Sequence, residues 1–146
     1  MARAYYSTMV DKPADEVWAA IRDFNALPAW FSEAVSESKI EEGKAGDQVG
    51  AVRSFTLRDG THLRERLLSH SDVTRCYSYN FEKTPFDGDN YHATLRVTKV
   101  VDGDRAFVEW WTTFDCDRDK IAYWQDFFAN QIFQAGLTSL KAYLGV

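Results

Sequence analysis

The sequence contains few of the residues that usually bind metals or form covalent bonds with substrates. Only two cysteines and three histidines occur among its 146 residues. Cys76 and Cys116 lie far apart and show no spacing typical of a disulfide framework, which predicts reduced thiols and a cytoplasmic protein. The histidines do not stand at ligand spacings, so we expect no metal site.

The chain also lacks the motifs that would indicate a cofactor, a membrane or a nucleic acid. It has no glycine-rich phosphate loop and no nucleophile elbow, so we expect no cofactor. No apolar run is long enough to cross a bilayer, which predicts no membrane insertion. The net charge is −5 and the basic residues are scattered, a pattern that argues against a nucleic-acid partner.

Hydrophobic residues are abundant, at 45% of the chain. A chain of this length can bury a core without disulfides or metals, which predicts a single domain over residues 1–146. Aromatic residues make up 15% of the chain, a share that suits either a dense core or an aromatic-lined pocket. Composition alone leaves both open.

The C-terminal segment 119–144 has the clearest periodic pattern and predicts one long amphipathic helix. The side chains predicted to face inward are small in the second half of this helix. A glycine inside a helix costs about 1 kcal/mol relative to alanine, so these small residues are expected to serve a structural purpose. They indicate either close packing on a sheet or a cavity beneath the helix. The predicted inward stripe is Ile121, Trp124, Phe128, Ile132, Ala135, Gly136, Ser139 and Tyr143.

The rest of the chain predicts an antiparallel α+β fold with helices on one face of the sheet. A strand over residues 3–10 precedes two short helices, the second capped by Asn25. From Val35 to about Asp115 the apolar period is two, interrupted by turn clusters, which predicts six more strands.

The hairpin over residues 49–69 carries one charge in the middle of each apolar row. A two-residue loop would place these rows on opposite faces. A three-residue loop at 58–60, with Gly60 in the left-handed conformation, joins the rows and sets Arg53 opposite Glu65. This second register gives each inward charge a partner.

Arg53 and Glu65 would then lie in an aromatic interior with the hydroxyls of Tyr79, Tyr91 and Thr112. Two interpretations stay open: a satisfied buried ion pair, or a pair that faces a ligand. On the outer face, Trp111 would cover a sheet edge, meet a second copy in a homodimer, or indicate that the predicted parity is wrong there.

Several motifs together resemble one family. They are Lys12-Pro13-Ala14-Asp15-Glu16-Val17-Trp18, Leu27-Pro28-Ala29-Trp30-Phe31, Arg58-Asp59-Gly60, Glu65-Arg66-Leu67 and the aromatic-rich terminal helix. The chain resembles the START-like helix-grip (SRPBCC) superfamily, and within it the polyketide cyclase/dehydrase and lipid-transport branch, which includes plant abscisic-acid receptors and birch-pollen-allergen relatives. The resemblance implies a seven-stranded antiparallel sheet wrapped around a long C-terminal helix, with an apolar cavity between them.

The resemblance also implies functional positions. Glu65 matches a pocket glutamate that holds ligand through waters, and Arg53 and Tyr91 match pocket residues. The receptors' Ser-Gly-Leu-Pro gate and His-Arg-Leu latch are replaced here by residues 58–60 and 86–88, which argues against hormone reception. The ligand-binding residues that we expect are Trp30, Arg53, Phe55, Leu63, Glu65, Tyr79, Phe81, Tyr91, Trp110, Thr112, Phe128, Ile132 and Gly136.

The leading hypothesis is a carrier or sensor of a small, mostly hydrophobic molecule. The first alternative is a cyclase-, aromatase- or dehydrase-like enzyme with Glu65, Arg53 and Tyr91 as catalytic candidates. In that enzyme the arginine should lower the pKa of Glu65 and make it a poorer base. The second alternative is a ligand-free protein-interaction module, supported by Trp111 and an exposed Phe127.

Overall fold

The computed structural model describes residues 1–146 and contains one seven-stranded antiparallel sheet. The strands are β1 (Ala2–Val10), β2 (Val35–Ile40), β3 (Val52–Leu57), β4 (His62–Ser71), β5 (Cys76–Phe81), β6 (Asp89–Val100) and β7 (Arg105–Asp115). Their order in the sheet is β1-β7-β6-β5-β4-β3-β2. Strands β2 to β7 therefore pair with their neighbours in sequence, and β1 pairs with β7 at the far end. The predicted antiparallel α+β fold is confirmed.

Helices cover one face of this sheet. The connection from β1 to β2 holds α1 (Ala14–Ile21) and α2 (Leu27–Trp30) and runs between opposite edges of the sheet. Asn25 does not cap α2, because Ala26 occupies the N-cap position and no side chain makes a capping hydrogen bond. The backbone N–H of Asn25 donates to the Asp23 carboxylate. A single 3₁₀ turn, Glu41–Gly43, follows β2.

The C-terminal helix is continuous but changes its winding. A 3₁₀ turn (Arg118–Lys120) leads into α3 (Ile121–Asp126), a π-helical segment (Phe127–Gln134) and α4 (Ala135–Leu144). Gly145 ends it with φ +79°, the left-handed cap that glycine favours. The long C-terminal helix is confirmed.

The π-helical segment alters which side chains face the sheet. A π turn bonds residue i to i+5 and so contains more residues than an α turn, which moves the inward stripe after Phe128. Phe133, Leu137 and Leu140 are fully buried, although the predicted stripe omitted them. Tyr143 is 55% exposed, so its predicted inward position is wrong.

The hairpin of β3 and β4 has the three-residue loop that the sequence favoured. Arg53 pairs with Glu65 across the strands, and Gly60 has φ +91°. The inner face of the sheet continues this alternation, with Tyr77 and Tyr79 buried on β5.

Trp111 lies on the outer face, as its parity predicted. The Tyr5 ring stacks on it at 6.4 Å between ring centroids, and the Arg96 guanidinium lies 5.1 Å from its ring. The side chain is therefore half-buried by its own chain.

None of the helices is both long enough and apolar enough to cross a membrane.

Candidate functional site

A cavity of about 690 Å³ lies between the inner face of the sheet and the C-terminal helix. Of the 25 residues that line it, 17 are hydrophobic. Both the volume and the apolar lining are typical of small-molecule sites. Most of the expected ligand-binding residues line it, namely Arg53, Phe55, Leu63, Glu65, Tyr79, Phe81, Tyr91, Trp110, Phe128 and Ile132.

Three expected residues lie outside the cavity lining. Trp30 is 1% exposed and packs against the Trp110 ring at 5.7 Å. The Thr112 hydroxyl donates to the His92 carbonyl oxygen at 3.1 Å. A Cβ atom on Gly136 would lie 2.5 Å from Trp110 and 3.0 Å from Phe31. Gly136 therefore permits close helix packing and does not widen the cavity, because side chains already fill the space beside it.

The sequence pattern did not identify an aromatic side chain that closes one end of the cavity. Phe86 comes from the loop between β5 and β6 and makes edge-to-face contacts with Trp124 at 5.0 Å and with Phe128 at 5.1 Å. A loop has no periodic hydrophobic pattern from which an inward side chain could be predicted. The loop itself, residues 83–90, was expected to flank the pocket mouth. Other lining residues outside the expected set include Leu27, Phe31, Val35, Leu57, Trp124, Phe127, Gln131 and Ala135.

The mouth carries most of the remaining polar residues. Glu33, Arg58, Asp59 and Thr61 line this part of the cavity. Arg58 is fixed there because its Nε donates to the Ser32 carbonyl oxygen at 2.9 Å. The hairpin loop at 58–60 therefore flanks the opening, as expected.

Arg53 and Glu65 form the polar centre of the cavity. Nε of Arg53 donates to Oε1 of Glu65 at 2.8 Å, and Nη2 lies 2.7 Å from the same oxygen. Nη1 donates to the Phe24 carbonyl oxygen at 3.1 Å. The guanidinium also lies 3.9 Å from the Phe24 ring centroid. No protein group donates to Oε2 of Glu65, whose residue lines the cavity. The pair is thus both a satisfied ion pair and part of the cavity surface.

Burial controls the electrostatics of this pair. Loss of hydration raises the pKa of Glu65 above its ordinary value, while the Arg53 guanidinium opposes the rise. Arg53 does act to lower this pKa, as expected, but desolvation is the larger effect and the net shift is upward, so the expectation of a poorer base is not met. For Arg53, burial alone would lower the pKa, but the carboxylate of Glu65 keeps it raised.

Two tyrosine hydroxyls lie near the ion pair. Tyr79 accepts a hydrogen bond from Trp110 Nε1 at 3.0 Å, and the hydroxyls of Tyr79 and Tyr91 lie close enough to interact. Burial raises the pKa of Tyr79 and of Tyr91 far above the ordinary tyrosine value. Both are therefore neutral hydroxyls at neutral pH. The cavity combines one free carboxylate oxygen with hydroxyl donors inside an apolar enclosure.

The described residues contain no group of three or more His, Cys, Asp or Glu side chains placed to hold a metal ion. The polar atoms at the centre of the cavity come from an arginine, a glutamate, two tyrosines and a tryptophan, and those nearer the surface come from Glu33, Arg58, Asp59, Thr61 and Gln131. This set can bind, orient and exchange a proton with an organic molecule.

Comparison with known proteins agrees with this architecture. The model of the polyketide cyclase/dehydrase and lipid transport family matches residues 1–145. The solved structure of the protein XoxI from Bacillus cereus is 31% identical and has a TM-score of 0.85, covering 99% of this chain and 96% of that chain. A solution structure from Thermobifida fusca is 29% identical with a TM-score of 0.85, covering 98% and 93% of the two chains.

A more distant structure shares the fold alone. The di-domain ARO/CYC BexL from the BE-7585A biosynthetic pathway is 18% identical, with a TM-score of 0.81. It matches 99% of this chain and 47% of that one. Among curated proteins, no sequence matches this chain.

Proposed function

The chain belongs to the polyketide cyclase/dehydrase and lipid transport family, and from this premise we propose that it is a carrier or sensor of a small, mostly hydrophobic molecule. The molecule occupies the cavity between the sheet and the C-terminal helix, with its polar end at Arg53 and Glu65. The observation that carries the proposal is an apolar cavity of about 690 Å³ around one polar centre. Such a cavity offers a large apolar contact area and few directional contacts, a combination that suits recognition of a hydrophobic molecule.

The test is a fluorescence titration with N-phenyl-1-naphthylamine, a neutral apolar dye that becomes bright in apolar surroundings. Ile132 lines the cavity from the C-terminal helix, so an Ile132→Trp substitution should fill part of the space. We expect saturable binding to the wild-type protein and at least tenfold weaker binding to the variant.

The matched control is Thr138→Trp, which adds the same side chain at an exposed position of α4. This variant should bind the dye like the wild type. Binding that is equally strong in Ile132→Trp, or absent from all three proteins, would contradict the proposal.

The second candidate is an enzyme that moves a proton on a bound ketone, and the raised pKa of Glu65 favours it. A more basic carboxylate is a better general base near neutral pH. Oε2 of Glu65 would accept a proton from the carbon beside the ketone, while the neutral hydroxyl of Tyr91 donates a hydrogen bond to the ketone oxygen. The product of this step is the enolate, stabilised by the hydrogen bond from Tyr91, and return of the proton from Glu65 to the carbon restores the ketone.

Deuterium exchange tests this candidate directly. In D₂O, the wild-type protein should accelerate exchange of the protons beside the carbonyl of 2-tetralone, followed by proton NMR. Glu65→Gln should remove the acceleration, whereas Glu37→Gln, at an exposed position of β2 outside the cavity lining, should retain it. Equal acceleration by Glu65→Gln would exclude Glu65 as the base.

The protein-interaction alternative has less support than a ligand-binding cavity. Trp111 is half-buried beside Tyr5 and Arg96, and Phe127 lines the cavity. Cys76 and Cys116 are unpaired thiols, which supports our proposal of a cytoplasmic location.

A further inference from the structure

The two oxygens of the Glu65 carboxylate have different environments. Oε1 lies within 2.8 Å of two Arg53 nitrogens. Oε2 receives no hydrogen bond from the protein. It is also not completely buried. Since Glu65 lines the cavity, Oε2 is an acceptor that a bound molecule can reach.

Arg53 has little capacity left for a bound molecule. Its Nε and Nη2 are directed at Glu65, and Nη1 donates to the Phe24 carbonyl oxygen. The rings of Phe24 and Tyr79 lie 3.9 Å and 4.9 Å from the guanidinium carbon. Three of its five N–H groups are therefore already directed at protein oxygens, and the Nε–Nη2 side of the guanidinium faces Glu65 and not a ligand carboxylate.

The ion pair is neutral as a unit. Arginine stays protonated in proteins, and a protonated Glu65 would leave its guanidinium buried without a compensating charge. That arrangement is much more costly than a hydrogen-bonded pair. A ligand carboxylate at this end would therefore lose its hydration and meet the charge of Glu65, with no net positive charge to compensate.

A neutral donor satisfies the same position without that cost. A hydroxyl group can donate to Oε2 of Glu65, and a hydrogen bond to a charged acceptor is stronger than one between neutral groups. Tyr79 also lines the cavity, and its hydroxyl, which accepts from Trp110, can donate its proton to the oxygen of that group. The ligand hydroxyl then both donates a hydrogen bond, to Glu65, and accepts one, from Tyr79.

We propose that the cavity selects neutral molecules that carry a hydroxyl group, such as an alcohol, phenol or enol, at the end facing Glu65, and that it rejects molecules with a carboxylate at that end. This inference rests on the proposed function, and it narrows the ligand to a chemical class. Glu65 is the residue that determines this selectivity.

Three naphthalene probes of similar size test the selectivity. They are 2-naphthol, which can donate a hydrogen bond, 2-methoxynaphthalene, which cannot, and 2-naphthoate, which is an anion. Their affinities are measured by displacement of N-phenyl-1-naphthylamine from the wild-type protein at neutral pH. We expect 2-naphthol to bind about tenfold more tightly than 2-methoxynaphthalene and 2-naphthoate to bind less tightly than 2-naphthol.

A Glu65→Gln substitution should reverse the relative affinities of the neutral probe, 2-naphthol, and the anionic probe, 2-naphthoate. The variant retains Arg53 but lacks the compensating carboxylate. The ratio of its affinity for 2-naphthoate to its affinity for 2-naphthol should therefore be at least tenfold higher than in the wild type. Glu37→Gln makes the same chemical change at an exposed position of β2 outside the cavity lining and should leave the wild-type order unchanged.

The outcomes separate this inference from the function on which it rests. If the dye binds and Ile132→Trp abolishes its binding, but 2-naphthol binds no more tightly than its methyl ether or than 2-naphthoate, the inference fails and the proposed function stands. If the dye does not bind in the cavity, the proposed function fails first. Should Glu65→Gln not fold, the order of the three probes on the wild-type protein still decides.

Discussion

Nη2 of Arg53 lies 2.7 Å from Oε1 of Glu65, and the two side chains are only 2% and 7% exposed. Removing one member of such a pair leaves a buried charge without compensation, which costs about 3–5 kcal/mol. We therefore expect Glu65→Ala and Arg53→Ala each to lower the free energy of unfolding by about that amount in urea denaturation.

Replacing both members should be much less harmful. An Arg53→Met, Glu65→Leu double variant removes both charges and restores apolar packing, which is often neutral or stabilising. A double variant that is less stable than either single variant would contradict this account of the pair.

A second prediction concerns the contact between Gly136 and Trp110. A Cβ atom at Gly136 would lie 2.5 Å from the Trp110 ring, so Gly136→Ala should force buried rings to shift. Overpacking of this kind costs about 1–3 kcal/mol, which exceeds the helix preference of alanine over glycine, about 1 kcal/mol. We expect a lower melting temperature in calorimetry.

Thr138→Ala is the control for Gly136→Ala, since it places alanine at an exposed position of the same helix. It should change the melting temperature little. If Gly136→Ala melts at or above the wild-type temperature, the helix does not pack as closely as the structure indicates.

A third prediction concerns acid stability through Asp72. Hydrogen bonds from Arg22, and next from Trp18, hold the pKa of Asp72 well below its ordinary value. Because the folded protein favours the ionised form, this contribution is present above the unfolded pKa of about 3.9. It is lost as the pH falls below that value.

The measurement is the melting temperature of wild type and Asp72→Asn between pH 7 and pH 3. The variant should be less stable near pH 7, and the difference should shrink on acidification. Asp119 makes no hydrogen bond or salt bridge through its side chain, so Asp119→Asn should follow the wild type throughout. A difference between wild type and Asp72→Asn that stays constant to pH 3 would show that the carboxylate charge is not what stabilises this contact.

A fourth prediction concerns the hydrogen bond between Trp110 and Tyr79. Tyr79→Phe removes the acceptor of the buried Trp110 Nε1 proton, and an unsatisfied buried donor costs about 1–3 kcal/mol. We expect a loss of stability in that range and faster hydrogen exchange of the Trp110 indole proton by NMR. Unchanged exchange would indicate that this bond is not maintained in solution.

The parts of the fold that depend on a strict period were predictable from the sequence. In β3 and β4 the period of two and the loop at 58–60 together fixed the register, because a shift of one residue would have turned Arg53 or Glu65 outward. The C-terminal helix was predictable as an element. Most of its predicted inward stripe also faces the core, but Tyr143 does not, and the buried Phe133, Leu137 and Leu140 were omitted. The π-helical segment at 127–134 changes the phase by an amount that no local residue pattern specifies.

The site was predictable where strands build it and less so elsewhere. Phe86 was missed because a loop side chain follows no periodic pattern. The sequence left two interpretations of Gly136 open, a cavity and close packing, and the resemblance favoured the cavity. The contact with Trp110, between distant parts of the chain, supports close packing. The pKa of Glu65 depends on how completely the carboxylate is removed from water, a quantity set by the whole fold.

The measurement that tests the central claim most directly is the set of intermolecular NOEs between N-phenyl-1-naphthylamine and the isotope-labelled protein. A dye in the cavity should give NOEs to Phe55, Leu63, Phe128 and Ile132, which line it from both sides. NOEs confined to exposed apolar residues such as Val73 and Val101 would place the dye on the surface and contradict a ligand-binding cavity.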